Sequence, residues 1–146
     1  MSPVPEGPRL GLYDRQGQIN LDIGYVGEVV ERAIPLCVKQ AINGSPLVGL
    51  KQLEVSVVSE PEISEVHGRF LNDPTATDVI TFDHGEIIVS ADMAQEKAVG
   101  LGHSTEAELL LYVIHGLLHL GGYNDKSESE FEEMSQIQER IWEEIR

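Results

Sequence analysis

Two histidines four residues apart, His115 and His119, stand in an apolar stretch running from Leu109 to Leu120. On a helix that spacing puts both imidazoles on one face, within reach of a single ion at about 2.0–2.1 Å per bond. Gly122 follows His119 by three positions and Asp125 by six. A glycine-mediated reversal behind the helix would bring that carboxylate back as a third ligand. Three protein ligands leave the fourth position of a tetrahedral zinc ion to water, the arrangement of a catalytic rather than a structural site. The residues therefore predict one Zn2+ per chain on His115, His119 and Asp125. The plainer alternative makes each histidine a core or capping residue. Burying two unpartnered imidazoles on one helical face is costly, however, and a metal accounts for both together.

HxxxHxxGxxD is the ligand spacing of the long zincin motif. Zincin peptidases carry a glutamate directly after the first histidine as general base, and here that position is Gly116. A peptidase mechanism loses its proton acceptor. Another side chain, a ligand-bound hydroxide or an oxygen of the substrate has to serve instead, and a phosphodiester carries such an oxygen.

The segments around this stretch are legible from periodicity and punctuation. Arg9 to Ile23 alternates as an edge strand or a hairpin around Arg15-Gln16-Gly17. Val26 to Ile42 repeats at three and four residues as a helix, with Pro35 predicting a kink or an early end. Cys37 falls on its buried stripe, as a core residue rather than a reactive thiol. Leu53 to Ser59 reads as a strand. Ser59, Pro61 and Glu62 form a capping-box pattern for a helix to about Leu71. Asp78 to Phe82 and Glu86 to Ser90 read as a hairpin about Asp83-His84-Gly85. Turn clusters occupy Asn43 to Pro46, Asp73-Pro74 and Gly121-Gly122.

Ser90 caps a short helix through Ala98, Ser104 or Thr105 one from Glu106 to Leu120, and Ser127 with Glu130 the last. That last helix carries an apolar stripe of Phe131, Met134, Ile137, Ile141, Trp142 and Ile145, and its glutamates form a solvated face. Strands and helices mix without strict alternation. The expected fold is α+β (mixed α/β), a small mixed sheet of about four strands packed with about five helices.

The 146 residues, 41% of them hydrophobic, suit one compact domain over 1–146. No apolar run approaches the roughly 18 residues of a membrane span, and the first ten residues lack signal-peptide character, so a cytoplasmic protein without membrane contact is expected. A single cysteine excludes internal disulfides and thiolate clusters. A net charge of -15 argues against a broad basic surface for coating nucleic acid, DNA included. It leaves room for an enzyme that needs only a local cation or a metal at the scissile phosphate.

The stretch His115-Gly116-Leu117-Leu118-His119-Leu120-Gly121-Gly122-Tyr123-Asn124-Asp125 resembles the HGxLHLxGYDH signature of the YbeY family of bacterial endoribonucleases. Thr77-Asp78-Val79-Ile80-Thr81-Phe82 with Gly85 to Ser90 looks like that family's TDVLSF and GDI strands, and Gly102-His103-Ser104 with Glu108 like its lead-in to the metal helix. The resemblance implies a single-strand-specific, metal-dependent endoribonuclease acting in small-subunit ribosomal RNA 3′-end maturation and ribosome quality control. Its substrate would be a ribosomal RNA precursor, with ribosomal proteins or assembly factors as candidate partners. The family's third histidine is Asp125 here, which suits zinc but widens the choice of divalent ion. The family arginine six residues before the TDV threonine is Leu71 here. Arg69, two positions away and about 200° around a helix, replaces it as a phosphate clamp only if the loop rearranges, and its plainer reading is a solvated helix residue.

His103 is expected in local hydrogen bonding, His84 exposed in the hairpin turn, and Thr77 and Asp78 at the cleft edge in turn capping. Two rivals remain at this stage: a zincin-like metallopeptidase, and a non-catalytic assembly module whose metal pins the C-terminal helix. A fourth protein ligand, with His103 and Asn124 the candidates, would favour the module.

Overall fold

A computed structural model describes residues 7–72 and 77–146, so the expected turn at Asp73-Pro74 lies outside the described residues. Strand β1 (Arg9–Asp14) is followed by α1 (Ile23–Gln40), the short α2 (Pro46–Gly49), β2 (Gln52–Val58) and α3 (Glu60–Leu71). Then come β3 (Val79–Phe82), β4 (Glu86–Ser90), α4 (Ala91–Leu101), α5 (Thr105–Leu120) and α6 (Glu128–Ile145). The strands form one mixed sheet in the order β1-β2-β4-β3, with β1, β2 and β4 parallel and β3 antiparallel to β4. This is the α+β fold expected, with α2 as an additional helical turn. Among the described residues no helix is long and apolar enough to cross a membrane.

The period-2 alternation of the strands decides what packs on each face. Leu53, Val55, Val57, Ile87 and Val89 turn to one side and join α1, α5 and α6 in the main core. Val58, Ile80 and Ile88 turn to the other, where Ile63 and Val66 of α3 meet them in a small second cluster with Phe82 at its border. Strand β3 is an edge, and it lies between the two.

Several expectations on the elements are corrected. Of the edge strand or hairpin expected over Arg9 to Ile23, the edge strand forms, as β1, and no hairpin forms about Gly17. β1 pairs in parallel with β2, and the Gln16 side chain knits the following loop by accepting from the Ile19 N–H at 2.8 Å and donating to its carbonyl at 2.8 Å. Ile23 therefore opens α1 instead of closing a strand. Pro35 does not end α1, which runs on to Gln40; it lies on the exposed side, where water can replace the helix bond it cannot make. Ile42 falls beyond the helix and is exposed.

Ser59 caps α3 by position but its side chain accepts no bond, so the capping box expected with Glu62 does not form; the Glu60 N–H donates to Asp92 of α4 instead. Phe131 lies outside the buried stripe of α6 and is exposed. The boxes and caps at Ser90, Ser104 and Ser127 form as expected.

Candidate metal centre

Helix α5 is buried almost all round. From Glu108 to Leu120 the residues not buried are Leu111, His115 and His119, a single open stripe at i, i+4 and i+8. Packing of the apolar remainder therefore fixes the rotation of the helix and leaves the two imidazoles at the opening.

The helix ends in a Schellman turn. The Gly122 N–H donates to the His119 carbonyl and the Tyr123 N–H to that of Leu118, both at 3.0 Å. Gly122 has φ +97°, and a Cβ there would also meet Ile42 Cβ at 3.1 Å. The reversed chain is tied to the end of α1 by the Ile42 N–H donating to the Gly121 carbonyl at 2.8 Å and the Tyr123 hydroxyl to that of Gln40 at 2.7 Å. This return carries Asp125 to the open stripe, as the glycine spacing predicted.

The three donor atoms converge. His115 Nε2 and His119 Nε2 are 3.1 Å apart, and Asp125 Oδ2 stands 3.6 Å from the first and 3.9 Å from the second. Donors each about 2.0–2.1 Å from one tetrahedral ion stand about 3.3 Å from each other. The observed triangle is close to that size, slightly open on the carboxylate side, and the three residues form a group that could hold a metal ion.

The partners of the other ring nitrogens match one pair of tautomers. His119 Nδ1 lies 3.1 Å from the Tyr123 carbonyl, which can only accept, and His115 Nδ1 lies 3.1 Å from Gln138 Oε1 of α6. With both Nδ1 atoms donating, the two Nε2 atoms carry lone pairs and cannot hydrogen-bond to each other. Two facing lone pairs with a carboxylate beside them fit a cation. Burial first, and then the neighbouring His115, hold the His119 pKa below its ordinary value, which keeps its lone pair available.

The centre opens on a cleft of about 630 Å³ lined by Leu71, Asp78, Val79, Ile80, Thr81, Asp83 and Lys126 together with the three donors. Asp78 sits on the cleft wall and lies 3.8 Å from Lys97. Arg69 points away from the cleft. It is largely exposed on α3, 3.7 Å from Glu65, and Leu71 occupies the wall. His84 is exposed at the hairpin and bonds to Glu86. His103 bonds to the buried carboxylate of Glu108 at 2.7 Å and does not join the donor group among the described residues, while Asn124 Oδ1 accepts from the Lys126 N–H. Burial pushes the Cys37 thiol up to about 12, as befits a core residue.

Sequence reasoning missed two contributors, and a packing reason for Gly116. Lys126 is the one cationic side chain lining the cleft among the described residues, and Gln138 reaches His115 from another helix. A Cβ on Gly116 would stand 3.0–3.1 Å from Thr81 Cγ2 and two carbons of Ile87, so α5 sits on the sheet with no space for a side chain there. The signal for Gly116 and Lys126 was in the sequence, at the motif itself. Gln138 carried none, being one polar residue on a polar helix.

Fold and centre together define an α+β protein with a His-His-Asp group, able to hold a metal ion, at the mouth of an open cleft. The chain belongs to the Endoribonuclease YbeY family, whose model matches residues 13–146. It is 36% identical to the Endoribonuclease YbeY of Koribacter versatilis, over 70% of this chain and 72% of that protein. It is 38% identical to the Thermotoga maritima protein of the same name, over 68% of this chain and 73% of that one. The solution structure of TM1509 from Thermotoga maritima superposes with a TM-score of 0.61 at 29% identity, covering 93% of this chain and 91% of the other.

Proposed function

We propose that this protein is a single-strand-specific, zinc-dependent endoribonuclease, with the ion on His115, His119 and Asp125 and residues 1–146 acting as one domain. The observation that carries the reading is the convergence of those three donors at an open cleft, in a chain of the Endoribonuclease YbeY family. When bound, the ion supplies Lewis-acid activation of a phosphodiester and of water. Tyr123 and Gln138 hold the two imidazoles in the tautomer that presents Nε2. Lys126 meets a phosphate oxygen of the strand, offsetting the carboxylates of Asp78 and Asp83 on the same wall.

Gly116 opposes the peptidase alternative, since the wall of Thr81 and Ile87 leaves no room for a glutamate. The assembly-module alternative has no fourth His, Cys, Asp or Glu to close the site among the described residues. The substrate in the cell is a small-subunit ribosomal RNA precursor, cut in 3′-end maturation and quality control in the cytoplasm. Ribosomal proteins or assembly factors deliver it to a chain of net charge -15.

The test is metal content by mass spectrometry for the wild type and His119→Ala, with cleavage of single-stranded RNA by both, with and without chelator. About one zinc per wild-type chain, none in the variant and cleavage lost with the metal are expected. Metal without RNA cleavage turns the reading to the assembly module. No bound metal overturns it.

A further inference from the structure

Beside the metal cleft, three rings stand in contact at the surface. Phe70, the penultimate residue of α3, meets Phe82 of β3 edge-to-face at 5.6 Å, and Phe82 lies nearly parallel to His84 at 5.5 Å with 16° between planes. Phe70 is 60% exposed and the His84 side chain 69%, whereas Phe82 is held from beneath by the small cluster of α3 and the sheet. The array is thus anchored at its middle ring and open at both ends. Exposed aromatic rings are scattered elsewhere as single residues, Tyr25 and Phe131 among them. Here they are consecutive.

The position of this array matters. Leu71, next after Phe70, and Asp83, between Phe82 and His84, both line the metal cleft. Thr81 faces α5 and lies against Gly116, the residue after His115, while Phe82 turns to the opposite face of the same edge strand. The metal centre and the rings therefore flank β3, one of the two edge strands of the sheet. A strand laid across that edge would place a phosphate at the centre and an adjoining nucleotide on the rings.

Charge favours this occupant. At a net charge of -15, and with Asp83 and Glu86 beside the rings, the surface repels a phosphate backbone, whereas a base is neutral and stacks regardless of that charge. We propose that Phe70, Phe82 and His84 form a base-stacking platform for an unpaired nucleotide of the RNA strand whose scissile phosphate occupies the metal cleft. The proposal rests on the endoribonuclease reading and deepens it. Duplex RNA keeps its bases stacked internally and offers none to the platform, so the rings select single strands.

The experiment compares wild type, Phe70→Ala and Phe70→Trp, in the presence of zinc, for binding to a single-stranded 2′-O-methyl oligonucleotide and to an abasic oligonucleotide of the same length, each checked to be intact after the measurement. Phe70→Ala is expected to weaken the base-bearing probe about fivefold or more and to leave the abasic probe unchanged, with an unaltered melting temperature. Phe70→Trp is expected to bind at least as well as wild type, with indole emission quenched by the base-bearing probe only. Equal binding of that probe by wild type and Phe70→Ala overturns the platform and leaves the patch to a protein contact, while the nuclease reading stands. An equal loss on both probes overturns it too, marking Phe70 as scaffold. If the wild type cuts no RNA, the nuclease reading falls and takes the platform with it.

Discussion

Gly116 of α5 faces Thr81 of β3 so closely that a Cβ on the glycine would stand 3.0 Å from the threonine Cγ2, with two carbons of Ile87 at 3.1 Å. The close approach holds the metal helix against the sheet edge, and it decides what chemistry the motif can support. Gly116→Ala would gain about 0.5–1 kcal/mol of helix propensity. Overpacking costs about 1–3 kcal/mol, and Ile87 is fully buried between helix and sheet with nowhere to turn. The expected result is a net loss of about 1 kcal/mol in denaturant unfolding. Gly116→Glu, which restores the peptidase motif, is expected to disrupt folding and to yield no proteolysis of an unstructured protein. Proteolysis by a well-folded Gly116→Glu variant would contradict the packing argument.

Gln138 lies one helix away from the metal helix and reaches His115 Nδ1 at 3.1 Å. Gln138→Leu keeps all three donors but frees the His115 ring to rotate and change tautomer. Zinc affinity, measured by competition with a chromophoric chelator, is expected to fall about 10- to 100-fold while circular dichroism stays unchanged. Unchanged affinity would mean that the helix alone orients the ring.

Lys126 supplies the cationic side chain of the cleft wall. Lys126→Gln is expected to weaken binding of single-stranded RNA uniformly across sequences and to reduce the slope of log affinity against log salt by about 0.7. Metal content should not change. A slope identical to wild type would show that the lysine makes no phosphate contact.

Cys37 is 1% exposed, and burial raises its thiol from the ordinary 9.0 to about 12. The fold therefore favours the protonated thiol. Below pH 9 both states keep the proton and no dependence arises. Between pH 9 and about 12 the unfolded chain releases it first, and stability falls as pH rises, by about 1.4 kcal/mol per unit from this group. Tyr112 contributes in the same direction, its phenol pushed up first by burial and then by Glu108. Denaturant midpoints at pH 8 and about pH 10.5 should thus converge in Cys37→Ala relative to wild type, without becoming equal. In the native protein a thiol reagent should label Cys37 only on unfolding.

The sequence by itself determined most elements and the donor group. Periodicity at two and 3.6 residues, three serine caps and the glycines behind His119 gave most helices and strands, because each is a local preference of backbone and side chain. His115, His119 and Asp125 were legible for the same reason: a helical turn and a glycine reversal are short-range geometry. That α1 runs on past Pro35 was not legible, because the effect of a proline depends on which side of the helix meets water. Whether Arg9 to Ile23 forms an edge strand or a hairpin was open in the sequence, because the partner that decides for the edge strand, β2, lies more than 40 positions downstream.

Only the tertiary structure decided the rest. Gln138, Tyr123 and Gln40 act on the centre across elements, and no spacing within one segment encodes such contacts. Arg69 carried the right charge for a phosphate, but the rotation of α3 set by Ile63 and Val66 turns it to solvent and puts Leu71 on the cleft wall. The ring array of Phe70, Phe82 and His84 likewise exists only where α3 crosses the β3–β4 hairpin. Packing of a buried face fixes the direction of every exposed one, and that packing is a property of the whole core.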